Sequence, residues 1–201
     1  MGWGHSMSSE AQDARAIAGE AVPGLPDGFS KQQIGAALST LISASIGDIC
    51  VVMSKAPSHK FHTLADIEWM VLPAVLTGQY YVGEYAHAEQ GARAPAAVVT
   101  WASVTDEVAS RLMHGSDSVV RLQPAEWRGG DQLWLIDTIG NPQVLGLALK
   151  TLAETQFKGK TVNVATRLAN GQVKLETLHG LLAGIGANVQ TEVDRALRAN
   201  R

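Results

Sequence analysis

The stretch from Gln132 to Ile139 constrains the fold most, because it contains an unbroken apolar run from Leu133 to Ile136. A strand with one face in water alternates polar and apolar residues, whereas a continuous apolar run is typical of a strand covered on both faces. A helical pattern follows, from Val144 to Phe157, with Leu145, Leu149 and Leu152 on one side. We therefore expect a sheet with this strand at its centre and helices packed against it.

Other segments alternate between helical and strand patterns. Ser30 and Gln33 have the spacing of a capping box, so a helix should begin there, and Thr63 with Asp66 offers a second helix start that Pro73 should bend or shorten. Further expected elements are strands over Gln79–Tyr85 and Pro95–Val104, a turn over Gly91–Ala94, a short helix from Thr105 to Met113, a hairpin of Thr161–Leu168 and Val173–Leu178, and a last helix over Ala187–Ala199. The pattern predicts an α/β (α+β) fold, a mixed central sheet flanked by helices in a single domain over residues 30–201.

The composition sets loose limits on function. Of 201 residues, 46% are hydrophobic and 17% are charged, which suffices for one core, and the net charge of −3 gives no electrostatic case for nucleic-acid binding. The single cysteine, Cys50, cannot form an internal disulfide, which favours a reducing, cytoplasmic location. No membrane span is expected. Residues 1–29 are expected to comprise a tag remnant ahead of Met7 and a flexible arm.

Two segments carry the candidate chemistry. Ala56-Pro57-Ser58-His59 places an imidazole shortly before the second helix, and the apolar strand carries a carboxylate, Asp137, near its end. Burying a carboxylate without a partner costs free energy, so its apolar setting favours a functional role over a structural one. A histidine and an aspartate held together form a general base and its orienting partner.

The two segments belong to an ordered set of landmarks that resembles the toxin-activating lysine acyltransferases, which attach fatty acyl groups to lysines of RTX protoxins. The landmarks run from Ile46 towards the hairpin: Ile46-Gly47-Asp48, Pro57 to His59, Val71-Leu72-Pro73-Ala74, Gln79-Tyr80, Trp101-Ala102, Glu126-Trp127, Gly130-Asp131 and Trp134-Leu135-Ile136-Asp137. The resemblance implies a modified Gcn5-related N-acetyltransferase (GNAT) fold and catalytic roles for His59 and Asp137. It also implies acyl-carrier protein as partner and donor of the acyl group, with acyl-coenzyme A as a possible substitute and no permanently bound cofactor.

The chain departs from that family at two places. Ala56 replaces a small hydroxyl residue that often precedes the Pro-x-His, although Ser54 and Ser58 lie nearby, and the turn after Asp137 is Gly140 to Gln143 instead of an Ala-Pro-Phe-Gly turn. The acceptor is therefore either a lysine-bearing RTX protoxin or a ribosomal peptide precursor with lysine or ornithine. A carrier-protein binding module without turnover and a conventional acetyl-coenzyme A transferase are the competing hypotheses.

Several further residues are weaker candidates. Gln143, Gly146 and Ala148 match the Gln-x-x-Gly-x-Ala pattern with which acetyltransferases receive a pyrophosphate at a helix N-terminus, although the glycine would also permit close packing. His62 is a rival base, and with His59 and Asp66 it falls short of a complete metal site. Other candidates are Trp69, Trp101, Trp127 and Trp134 as walls of an acyl groove, Cys50 as a packing residue, Lys55, Lys60, Arg128 and Lys158 as a docking surface for carrier protein, and the final helix as a possible homodimer contact.

Overall fold

The computed structural model describes residues 30–86, 93–114, 120–167 and 172–184. The chain divides into two units, Met1–Ala44 and Ser45–Arg201, and the first is described only from Ser30 onwards. The predicted arm over residues 1–29, the hairpin turn over 168–171 and the predicted helix over Ala187–Ala199 all lie outside the described residues.

Helix α1 spans Lys31–Lys55. The predicted capping box is confirmed at its start, because the Ser30 amide donates to Gln33 Oε1 at 2.9 Å and the Gln33 amide donates to Ser30 Oγ at 3.2 Å. In the second unit the helix buries one stripe, which includes Ser45, Ile49 and Val52. The predicted loop over Ser54–His62 begins slightly later than expected, after Lys55.

Helix α1 also corrects the expectation that no segment approaches a membrane span. By length and composition alone, it is long and apolar enough to cross a membrane. Such a match is weak evidence, because core helices of soluble proteins pass the same test. The buried residues of the helix are Ser45, Ile49, Val52 and Met53.

A helical segment broken in two follows. A 3-10 turn over Leu64–Asp66 leads into α2 (Ile67–Met70) and α3 (Leu72–Thr77). The predicted start is confirmed, since Thr63 and Asp66 form a capping box. The break at Val71 precedes Pro73, whose ring lacks the amide that a continuous helix needs.

Five strands form one mixed sheet in the order β1-β2-β3-β4-β5. They are β1 (Tyr80–Ala86), β2 (Arg93–Val104), β3 (Gln132–Gly140), β4 (Val162–Arg167) and β5 (Val173–Thr177). The strands β3 and β4 pair in parallel, and every other neighbouring pair is antiparallel. The mixed sheet with β3 at its centre confirms the predicted fold class. The predicted turn over Gly91–Ala94 is wrong at its end, because Arg93 and Ala94 pair with β1.

Helices cover the sheet on both faces. They are α4 (Asp106–His114), α5 (Pro142–Glu154) and a helical stretch over 178–184, with a 3-10 turn over Pro124–Trp127. Trp101 and Leu135 pack with α5 residues such as Leu149, whereas the neighbouring positions Ala102 and Trp134 pack with α3 and α4 on the other side. Since successive strand residues point to opposite faces, β3 is covered on both, as its apolar run predicts.

Candidate functional site

The site forms where the central strand separates from its parallel neighbour. The strands β3 and β4 pair only from Leu133↔Val162 to Leu135↔Val164. On its other side β3 pairs Leu135 with Trp101 and Asp137 with Thr100, so Ile136 is the extra residue of a β-bulge. A bulge bends the strand and increases its twist, and it re-aims the side chains beside it. Asp137 therefore lies two residues beyond Leu135, the last β3 residue that pairs with β4, at the point where these two strands separate.

His59 reaches this opening from the turn that follows α1. The turn is held by two amides, those of His59 and Lys60, which donate to the Ala56 carbonyl at 3.0 and 2.9 Å. His59 Nε2 lies 2.7 Å from Asp137 Oδ2, and the two side chains are 12% and 28% exposed. These are the two residues that the sequence predicts as a pair, and the structure brings them together across 78 positions of the chain.

Both oxygens of the Asp137 carboxylate have partners. Oδ2 meets the imidazole, and Oδ1 accepts a hydrogen bond from the Thr138 amide at 2.8 Å. These two bonds offset the desolvation of a carboxylate that sits beside apolar strand residues. A carboxylate can only accept, so the nitrogen that faces it, Nε2, donates, and in the neutral imidazole Nδ1 then holds the lone pair.

The second ring nitrogen has a partner that the sequence analysis did not assign. Ser58 Oγ lies 2.8 Å from His59 Nδ1. The only signal in the sequence is the adjacency of the two residues, and adjacency does not fix the direction of a side chain. Ser58, His59 and Asp137 thus form one hydrogen-bonded row.

Three cavities surround this row. One, of about 210 Å³, is bounded by Trp69, Trp127 and Trp134. A second, of about 370 Å³, lies towards α5 beside Leu145 and Leu149, and both of these cavities touch Leu135, Ile136, Asp137 and Ala165. The third, of about 450 Å³, lies on the Ser58 side and includes Thr138. Tryptophan, leucine and valine residues line the two cavities that touch Asp137, and such walls suit the apolar part of a ligand beside the His59–Asp137 pair.

Comparison with known proteins identifies the family of this chain. A family model described as the RTX toxin acyltransferase family matches residues 40–178. The chain belongs to this family. The resemblance noted in the sequence is thereby confirmed, and the match includes both His59 and Asp137.

A curated relative is similar to this family member over part of its length. It is a lysine-acyltransferase, RtxC, of Vibrio cholerae serotype O1 (strain ATCC 39315 / El Tor Inaba N16961), 26% identical over 98 residues. The aligned region is 49% of this chain and 59% of the relative. The chain therefore matches less than two thirds of the relative's length.

The rival histidine of this RTX acyltransferase family member belongs to another network. His62 Nδ1 lies 3.5 Å from Asp66 Oδ2, while its ring centroid is 5.5 Å from that of His59. Asp66 also accepts hydrogen bonds from the Thr63 amide at 2.8 Å and from the Trp69 indole at 3.0 Å. These donors, the indole first, hold the pKa of Asp66 well below its usual range. Within the described residues no group of three or more potential ligands gathers to hold a metal.

The pyrophosphate motif lies at the start of α5. Asn141 is the N-cap, and its Oδ1 accepts from the amides of Gln143 and Val144 at 2.9 and 3.2 Å. The Asn141 side chain therefore occupies two of the donors that a phosphate would need. Ala148 is buried against the sheet, and a side chain at Gly146 would meet nothing within 4 Å, so close packing does not explain that glycine. The binding role of Gln143, Gly146 and Ala148 stays a prediction.

The other candidates divide between core and surface. Trp101 packs edge-to-face on Phe157 with ring centroids 5.2 Å apart and lies in the core, whereas Trp69, Trp127 and Trp134 line the 210 Å³ cavity. Burial raises the pKa of the Cys50 thiol, which makes the reactive thiolate scarcer and agrees with a packing role. The side chains proposed for carrier-protein docking are exposed: Lys55, Lys60, Arg128 and Lys158.

Proposed function

We propose that this chain is a lysine N-fatty-acyltransferase that takes an acyl group from acyl-carrier protein and transfers it to lysine side chains of an RTX protoxin. Membership of the RTX toxin acyltransferase family supports the reaction class. The observation that carries the proposal is the 2.7 Å contact between His59 Nε2 and Asp137 Oδ2, placed where β3 and β4 separate.

One chemical task of this reaction is to remove a proton from the acceptor. A lysine ammonium, with a reference pKa of about 10.4, is protonated at neutral pH and cannot attack a thioester. A neutral imidazole is the side chain best suited to accept that proton near neutral pH. Asp137 holds Nε2–H, so Nδ1 is the accepting atom, and the carboxylate stabilises the imidazolium that forms.

The second task is to hold an acyl chain beside this base. The cavities of about 210 and 370 Å³ adjoin Asp137 and have tryptophan, leucine and valine side chains in their walls. An apolar chain that enters either cavity removes its own surface from water, which stabilises the complex. The exposed basic residues Lys55 and Lys60 flank the His59 turn and suit an acidic carrier protein.

A donor and acceptor panel tests the proposal. The protein is incubated with carrier proteins loaded with acetyl, octanoyl and palmitoyl groups, and with the corresponding coenzyme A thioesters. The acceptor is a purified RTX protoxin, and mass spectrometry of its peptides locates new amides. We expect a long-chain amide on lysine, formed faster from carrier protein than from coenzyme A.

Other outcomes would redirect the assignment. Acetyl transfer from coenzyme A with no preference for long chains would favour a conventional acetyltransferase, and modification of a short leader-bearing precursor would favour a peptide-lipidating enzyme. Binding of loaded carrier protein without release of free carrier would indicate a module without turnover. Full activity in both His59→Ala and Asp137→Asn would refute the role of the pair. The cytoplasmic location and the possible homodimer stay predictions.

A further inference from the structure

Three side chains in a row form the arrangement of an activated nucleophile. Ser58 Oγ is 2.8 Å from His59 Nδ1, and His59 Nε2 is 2.7 Å from Asp137 Oδ2. A hydroxyl bonded to a base whose far side is held by a third group is the general signature of covalent catalysis. The imidazole here uses Nδ1 towards the serine and Nε2 towards the aspartate, and such constellations are recognised by geometry and role instead of sequence position.

The tautomer fixes the direction of the serine hydrogen bond. The Asp137 carboxylate requires a proton on His59 Nε2, so in the neutral imidazole the Nδ1 lone pair accepts from Ser58 O–H. In this state no acceptor amine can reach the basic nitrogen without displacing Ser58. The proton that His59 is placed to remove first is therefore that of the serine.

Ser58 is also accessible to a substrate. The residue is exposed and lines the cavity of about 450 Å³ that includes Thr138 and Asn141. The neighbouring Ser54 differs, because its hydroxyl donates to the Val51 carbonyl of its own helix at 2.8 Å. Of these two serines close to the histidine, only Ser58 is bonded to the imidazole.

We propose that Ser58 is the nucleophile and carries the acyl group as an ester before the lysine receives it, an inference that rests on the proposed acyltransferase function. Ser58 Oγ attacks the thioester carbonyl carbon, the Oγ–C bond forms and the C–S bond breaks. The serine proton passes to His59 Nδ1 and from there to the leaving thiolate. The lysine amine then attacks the ester, the C–N bond forms and the Oγ–C bond breaks. The amine proton returns through Nδ1 to Ser58 Oγ.

A donor-only incubation tests this step. The protein is mixed with palmitoyl-loaded carrier protein in the absence of any acceptor, and intact mass, peptide mapping and free thiol are measured. We expect a palmitoyl mass increase on the peptide that contains Ser58, labile to hydroxylamine at alkaline pH as an oxygen ester is, together with release of free thiol in proportion to the amount of enzyme. Ser58→Ala should abolish both signals and lower transfer to the protoxin by about 10²-fold or more. The matched control Ser54→Ala should keep both signals.

Three results overturn the assignment. The first is a wild-type protein that acylates the protoxin yet gives neither adduct nor thiol release without it. The second is an adduct on another residue, and the third is a Ser58→Ala variant that retains wild-type transfer. All three leave acyl transfer itself intact, so they remove the serine step alone. A wild-type protein that modifies neither itself nor the protoxin refutes the proposed function instead.

Discussion

Two histidine–aspartate pairs lie side by side in this protein and differ in almost every respect. His62 and Asp66 are four residues apart, at a helix start, with their atoms 3.5 Å apart. His59 and Asp137 come from distant parts of the chain and approach to 2.7 Å at the opening of the sheet. The residue types are the same, so the surroundings alone distinguish the two pairs.

The partners of each carboxylate explain the difference. Asp66 Oδ2 accepts from the Thr63 amide and hydroxyl, and its Oδ1 accepts from the Trp69 indole, so this group closes a capping box and fixes a ring. Asp137 Oδ1 accepts from the Thr138 amide, and Asp137 Oδ2 is hydrogen-bonded to His59 Nε2. One carboxylate stabilises local structure, whereas the other orients an imidazole whose second nitrogen faces Ser58.

The largest expected effect separates the two histidines. His59→Ala should lower the rate of acyl transfer by about 10²–10⁴-fold, because it removes the general base. His62→Ala is the matched control and should leave most activity, since its imidazole faces Asp66. Rates of lysine acylation under saturating donor measure both. A larger loss for His62 than for His59 would reverse the assignment of the two pairs.

The two aspartates provide the next test. Asp137→Asn keeps the shape of the side chain but removes the charge that stabilises the imidazolium, so we expect a loss of about 10²-fold in turnover with the fold intact. Asp66→Asn should show the opposite pattern, a lower thermal midpoint with most of the activity retained, because its carboxylate holds the helix start. Circular dichroism melts and transfer rates on the same preparations separate these outcomes. If both variants lost thermal stability and activity to similar extents, the two carboxylates would not have separate structural and catalytic roles.

Acid stability sharpens the comparison further. The pKa of Asp66 lies well below its usual range because the Trp69 indole, and after it the Thr63 amide, donates to the charged form. A lowered folded-state pKa contributes stability above the unfolded value of about 3.9, and that stability is lost as the pH falls from there towards the folded value. The stability gap between wild type and Asp66→Asn should thus be constant from about pH 5 to 7 and shrink below about pH 4. Denaturant titrations across this pH range measure the free energy of unfolding of both proteins. A difference between them that grew in acid would contradict this prediction.

Much of the fold follows from local sequence patterns. The apolar run around Leu135 predicts a strand covered on both faces, and Ser30 and Thr63 predict helix starts through bonds that reach only three residues. Such signals depend on neighbours in the chain, which a sequence displays directly. The turn predicted up to Ala94 failed because the pairing of β2 with β1, a long-range contact, extends the strand.

The site was only partly predictable for the same reason. His59 and Asp137 stand out as residue types in unusual settings, and the family resemblance predicts that they act as a pair. The bulge at Ile136 and the separation of β3 from β4 depend on register between strands, which no local pattern encodes. The hydrogen bond between Ser58 and His59 depends on the direction of the side chains within a turn. The N-cap formed by Asn141 likewise depends on the backbone geometry at the start of α5.

The smallest expected effect lies at the rim of the His62–Asp66 pair. The Arg121 guanidinium sits 4.6 Å above the Trp69 ring and 3.8 Å from Asp66 Oδ1, with the arginine side chain 65% exposed. A cation over an indole at an exposed site contributes about 0.5–1 kcal/mol, so Arg121→Ala should reduce stability by roughly that amount and leave His59 chemistry unaffected. An exposed ion pair is screened by salt, whereas the ring contact is screened less. The loss should therefore persist in about 1 M salt, where the Debye length is only about 3 Å. If the loss disappears there, the ion pair with Asp66, and not the ring, holds Arg121 in place.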